Sequence, residues 1–130
     1  MNVEILLPYA GLLGLVLIAL SIQVVILRRR HQVGIGFGQV QALERAIRTQ
    51  ANFTEYVPLA LVLLVLLGIS GALPDAALHL LAGALVVGRI LHAVGLSRSA
   101  GTSFGRLAGT ALTWLVLLAA AGTALVLRVF

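Results

Sequence analysis

The chain has 130 residues, of which 61% are hydrophobic and only 10% charged, more apolar surface than a water-soluble domain of this size buries within itself. Its formal charge of +5 comes from nine arginines and no lysine. These cluster at helix ends and inside apolar segments, not on an exposed basic stripe interleaved with aromatics, which excludes a nucleic-acid partner. Cysteine is absent, so neither disulfides nor a protein thiol carries the chemistry.

A membrane-crossing helix needs about 20 apolar residues, and the first predicted helix, residues 5–27, has that length without a charged side chain. No basic residue precedes it and its apolar run exceeds the core of a signal peptide, so a retained helix is expected. Arg28, Arg29 and Arg30 follow, then the GIGFG of residues 34–38. With no strand before it, this is a flexible connection and not a phosphate-binding glycine loop. Lipid-headgroup anchoring explains Arg29 and Arg30.

The second predicted helix, residues 41–69, contains Pro58, which should kink or loosen it near mid-membrane. Arg45, Arg48, Asn52 and Glu55 are spaced by three, four and three residues and, with Gln41, fall on one helical stripe. Ionisable groups at membrane depth cost at least about 2.5 kcal/mol each, so the stripe must be paired internally, watered or turned towards a ligand. Arginines match carboxylates bidentately, Asn52 offers donor and acceptor, and Glu55 can take an ammonium; a small zwitterionic, peptide-like ligand carries those groups. Gln50 lies about 140° round the helix from Arg45, placed to reach another helix or an adjoining protomer.

The turn GISGALPD, residues 68–75, leads into the third predicted helix, residues 76–96, which carries His79, Arg89 and His92. No second histidine or carboxylate is spaced with His92 as a metal set, and no metal is expected. GLSRSAGTSFGR, residues 95–106, reads as the longer turn before the fourth helix, residues 105–128. Gly83 and Gly88 on the third helix, and Gly109, Ala119, Ala120, Ala121 and Gly122 on the fourth, suit close helix packing. The expected fold is all-α, a single domain over residues 1–130 without internal repeats: a four-transmembrane-helix bundle. Arg28–Arg30, Arg98 and Arg106 sit on two connections while residues 68–75 have no basic side chain. The positive-inside rule then makes those two connections cytoplasmic, weakly opposed by Arg128. The all-arginine basic content and short loops suggest a bacterial inner-membrane protein.

The segment ERAIRTQANFTEYVP, residues 44–58, closely resembles the second-helix signature of the MAPEG family, the membrane-associated proteins in eicosanoid and glutathione metabolism. Gln23–Val33 looks like the end of that family's first helix, and GRILHAVGLSRS, residues 88–99, like its third. The resemblance, to a bacterial-type member, spans essentially the whole chain. It implies a homotrimer with glutathione held as co-substrate between protomers near the cytosolic face. By the same resemblance Arg48, Asn52, Glu55 and Tyr56 contact glutathione, and Arg28 and Gln50 help to frame it. Arg89 pairs with Glu55 or with a bound carboxylate, and His92 approaches the ligand. The thiol-activating arginine matches Arg106 at the start of the fourth helix, with Ser103 or Thr102 as a hydroxyl donor and Arg98 as the competing thiol partner. One departure is Leu96, where some catalytic relatives carry a tyrosine.

The implied activity is glutathione transfer to lipophilic electrophiles that arrive from the membrane lipid, or reduction of lipid hydroperoxides. A lipid-binding or scaffold protein of the same fold is the alternative from a different class. A small multidrug exporter has a similar length, but it places its essential acid in the first helix, where this chain has only Glu4 at the extreme start.

Overall fold

The computed structural model describes the backbone of residues 3–129 and side chains through residue 127, so the side chain of Arg128 lies outside the described residues. A single 3-10 turn, Val3–Leu6, leads into four helices: α1, Leu7–His31; α2, Gln41–Ser70; α3, Asp75–Arg98; and α4, Phe104–Val129. Each is long and apolar enough to cross a membrane. No strand occurs among the described residues.

Local chemistry sets the helix ends. Pro8 sits in the first turn of α1, where its missing N–H costs nothing. Four basic residues, Arg28 to His31, fill the last turn and complement the helix dipole. The helix therefore continues about one turn beyond the expected end at residue 27, and Gln32 closes it in the left-handed conformation. Gly71, at φ 68°, ends α2 in the same way. α2 runs as one continuous helix through Pro58. Pro74 then precedes α3, whose first turn carries Asp75.

The turn expected over residues 95–106 is shorter in the structure, because α3 continues to Arg98 and α4 starts at Phe104. Gly95 and Gly105 are helical residues at the crossing of α3 and α4, the most extensive helix pair in the molecule. A methyl group on Gly95 would stand 2.5 Å from the Arg106 nitrogen and 2.9 Å from the Gly105 carbonyl carbon. One on Gly109 would meet the carbonyl oxygen of Gly88, with the His92 nitrogen at 2.6 Å. Gly88 and Gly109 thus pack as closely as expected, and Gly95 and Gly105 likewise permit backbone-to-backbone contact. Gly83 and Gly122, expected in the same role, have no close neighbour on another helix backbone.

The core runs down the bundle axis through Leu13, Phe53, Leu64, Leu85 and Val116. Apolar side chains cover the outside as well: Leu15 is 69% and Leu118 71% exposed. A surface of that kind suits hydrocarbon, where no water must order around it.

Candidate functional site: a cation-rich cavity at one end of the bundle

The α1–α2 and α3–α4 connections lie at the same end of the bundle, and beside them opens a cavity of about 240 Å³. The first turns of α2 contribute Glu44, Arg45, Arg48 and Asn52; the last turns of α3 contribute His92 and Leu96. Ala100 and Arg106 close the wall. Three guanidinium groups thus face one carboxylate, an imbalance that favours an anionic occupant.

Arg106 is positioned by the start of its own helix. The Ser103 hydroxyl accepts a hydrogen bond from the Arg106 backbone N–H at 3.3 Å, as an N-capping serine does. The bond occupies one acceptor site of the hydroxyl and leaves its O–H free to donate. The Arg106 Nη1 donates to the carbonyls of Ala100 at 3.2 Å and Gly101 at 3.4 Å. Its Nε and Nη2 make no hydrogen bond among the described residues and remain for an anion. Arg98 is exposed on the last turn of α3 and does not line the cavity.

Arg89 lies behind the cavity and is 2% exposed. Its Nη1 donates to the Asn52 side-chain oxygen at 2.8 Å and to the Asn52 backbone carbonyl at 3.4 Å. Its guanidinium carbon sits 5.7 Å from the centre of the Tyr56 ring, a cation–π contact. Its Nε and Nη2 are buried without a partner. The expected pairing of Arg89 with Glu55 is not formed: Glu55 instead meets Arg48 at 3.6 Å on a half-exposed face of α2. The cause is rotational, since Glu55 and Arg48 share the outer edge of the stripe while Asn52 turns inwards to α3. Because Arg89 can only donate, it fixes the Asn52 amide with the oxygen inwards, which leaves the NH₂ group to donate elsewhere.

Two other expected site residues serve helix organisation in the single chain. The Gln50 side-chain NH₂ donates to the Ser21 hydroxyl at 2.8 Å, tying α2 to α1 away from the cavity. Arg28 Nη1 donates to the carbonyls of Val33, Gly34 and Gly36, at 3.3, 3.2 and 2.9 Å, so the glycine-rich connection wraps around it. Of the nine residues expected at the site, Arg48, Asn52, His92 and Arg106 line the cavity, and Arg89 and Tyr56 stand behind Asn52.

Glu44 and Arg45 also line it. The sequence did carry a signal for Glu44, which precedes Arg48 by four residues and Asn52 by eight and so belongs to the same stripe.

Comparison with known proteins agrees with this architecture. A family model described as "MAPEG family" matches residues 6–126. The chain is also 34% identical over 110 residues to the inner membrane protein YecN of Escherichia coli K12, which covers 85% of this chain and 82% of YecN. YecN of Escherichia coli O6:H1 matches to the same extent.

Proposed function

The chain belongs to the MAPEG family and is an integral inner-membrane protein, and from that premise we propose that it is a glutathione transferase or glutathione-dependent peroxidase acting on lipophilic substrates. The observation that carries this reading is Arg106, whose guanidinium is held at the cavity wall by one nitrogen and keeps two others free. A thiol with an ordinary pKa of about 8.5 is mostly protonated at neutral pH. A guanidinium beside it favours the thiolate by roughly 1.4 kcal/mol for each unit the pKa falls. The N-terminal end of α4 adds to the same field.

Glutathione fits the cavity in charge: its carboxylates and thiolate meet Arg48, Arg106 and the Asn52 NH₂ group. In conjugation the thiol proton passes to water, the sulfur attacks an electrophilic carbon and the leaving group departs with the bonding electrons. In peroxide reduction the thiolate attacks a peroxide oxygen, the O–O bond breaks and the alkoxide leaves as an alcohol after taking a proton from water. A second glutathione then attacks the sulfenic acid to give the disulfide and water. Leu96 on the cavity wall supplies no hydroxyl, so thiolate stabilisation rests on Arg106. The lipophilic partner arrives along the apolar outer surface.

The reading includes a homotrimer, supported by two features of the single chain. The Arg48–Glu55 pair is exposed on a membrane helix, with Glu55 about 21 Å along α2 from Gln41, at a depth where bare charges need cover. The cavity volume of about 240 Å³ falls below the roughly 300–1,000 Å³ usual for small-molecule sites, as expected if a neighbour supplies a further wall. The basic connections face the cytoplasm, where glutathione is available.

The test is to titrate purified protein with glutathione while following thiolate absorbance, then to assay conjugation of a chlorinated aromatic, with Arg106→Ala alongside. The wild type should ionise the bound thiol, and the variant should bind glutathione without ionising it. A wild type that neither binds glutathione nor perturbs its thiol overturns the reading. Leu96 favours a second reading, a non-catalytic lipid binder, which predicts retained lipid binding with no thiolate signal.

A further inference from the structure

A second cavity, of about 310 Å³, opens at the same end of the bundle and shares no lining residue with the first. Arg28, Arg29, Gln32, Val33 and Gly34 line it, where α1 passes into the glycine-rich connection. Arg28 is tied by its Nη1 to three carbonyls of that connection. The Arg29 side chain is exposed and makes no hydrogen bond or ion pair among the described residues. No carboxylate lines the cavity: Glu44 and Glu55 lie on α2, and Glu4 and Asp75 at the opposite end of the bundle. A helix C-terminus ordinarily repels an anion, but here the last carbonyls are covered. The Arg28 carbonyl accepts from the Val33 backbone N–H at 3.0 Å and the Arg29 carbonyl from the Gln32 side-chain NH₂ at 2.8 Å. The side-chain oxygen of Gln32 is left to accept a further hydrogen bond.

Arg29 also stands in register with an apolar ridge. It follows Val25 by four residues and Ile22 by seven, positions that share one face of a helix, and both side chains, with Ile26 beside them, are exposed along α1. Arg30 does not line the cavity. A ridge about 10 Å long that ends in an unpaired guanidinium, just where the apolar run stops, matches an amphiphile with its acyl chain on the ridge and an anion at the top. The ammonium of a zwitterionic headgroup would meet the consecutive guanidinium groups of Arg28, Arg29 and Arg30, whereas an uncharged, hydroxylated head can donate to the free oxygen of Gln32. We infer that this cavity binds one anionic phospholipid of the phosphatidylglycerol type from the cytoplasmic leaflet. Arg29 holds its phosphate, Gln32 a hydroxyl of its head, and Ile22, Val25 and Ile26 an acyl chain. Val33 both lines the cavity and packs against the cluster of Val24, Leu43 and Ala46, so the bound lipid braces the connection against the start of α2. The inference does not depend on the glutathione reading.

Native mass spectrometry of the detergent-solubilised protein tests it, with three lipids of identical acyl chains: phosphatidylglycerol; phosphatidylmethanol, which is anionic but has no hydroxyl in its head; and zwitterionic phosphatidylethanolamine. Glycerol 3-phosphate, which has no acyl chain, is the fourth probe. The wild type should bind phosphatidylglycerol most tightly, phosphatidylmethanol less so and phosphatidylethanolamine least, with no glycerol 3-phosphate bound at the same concentration. Loss of a charge-assisted contact in Arg29→Gln should weaken phosphatidylglycerol by about tenfold or more and leave phosphatidylethanolamine unchanged. Arg30→Gln removes the same charge outside the cavity and should cost at most about threefold, through long-range attraction alone. Gln32→Asn suits the left-handed backbone at φ 55° but shortens the reach, and it should abolish the preference for phosphatidylglycerol over phosphatidylmethanol. Equal losses in Arg29→Gln and Arg30→Gln would reduce the effect to diffuse attraction and overturn the site. A wild type that binds the three lipids alike would also overturn it, as would follow if a second copy of the chain covers this face of α1. Glycerol 3-phosphate bound as tightly as the lipid would overturn the acyl contact and make this a site for a soluble phosphate.

Discussion

The two halves of the bundle are joined in different ways. α3 and α4 meet backbone to backbone, where Gly88 faces Gly109 and Gly95 faces Gly105. α1 and α2 meet through side chains, with one hydrogen bond from Gln50 to Ser21 and an apolar groove of about 290 Å³ lined in part by Gly14, Phe53 and Pro58. The first contact leaves no room to slide, and it carries His92 and Arg106, the groups that the proposed chemistry needs fixed relative to a thiol. The second has slack, and it carries groups that frame the bundle or face lipid. On the proposed function the rigid contact is where chemistry would need close placement, and the loose one where the fold only has to hold together.

The largest effect should come from filling the tight side. Gly109→Val puts a branched side chain against the Gly88 carbonyl and against His92, whose nitrogen would lie 2.6 Å from the new Cβ. Overpacking of this kind costs roughly 1–3 kcal/mol, and backbone atoms cannot step aside as a flexible side chain can. Thermal unfolding in detergent should show a clearly lowered midpoint, together with loss of any thiolate signal because His92 and Arg106 are pushed apart. A variant as stable as wild type would mean that the two helices are not in backbone contact.

A smaller effect is expected on the loose side. Gln50→Ala removes the bond to Ser21, but the Ser21 hydroxyl keeps its donation to the Leu17 carbonyl at 2.8 Å, so no buried group is orphaned. Interhelical hydrogen bonds in membranes average about 0.6 kcal/mol, and the unfolding free energy should fall by about that amount. Glutathione affinity should be unchanged if Gln50 serves only the α1–α2 contact. A clear loss of affinity would show instead that Gln50 also frames a ligand in the assembled protein, as the family resemblance implies.

The same contrast separates what the sequence makes legible from what it does not. The four helices follow from apolar length alone, and the polar stripe of α2 from spacing, because hydrophobic period and helix geometry are local properties. The partners of the stripe are not local. Whether Arg89 meets Glu55 or Asn52 depends on how α2 is rotated against α3, and only packing decides that in favour of Asn52. The close approach at Gly95 and Gly105 is hidden for a related reason: a glycine near a helix end and one that admits a neighbouring backbone look alike in one dimension. Arg45 lay on the stripe from the start, but that its Nε is buried without a partner is visible only when every nearby oxygen has been assigned.

The smallest effect should come from Gly14→Ala, and it bears on assembly. In the single chain an added methyl at Gly14 meets nothing within 4 Å and projects towards a groove with room for it. Alanine is also the better helix former by about 1 kcal/mol in water, so a lipid-facing Gly14 predicts a stability within about 0.5 kcal/mol of wild type or slightly above it, and unchanged elution on size exclusion. If the groove is instead where a neighbouring protomer packs, the methyl falls at a helix–helix contact and must loosen it. The oligomer should then dissociate at a lower detergent concentration. Gly14→Ala thus asks whether the slack between α1 and α2 belongs to the assembled protein or only to one chain of it.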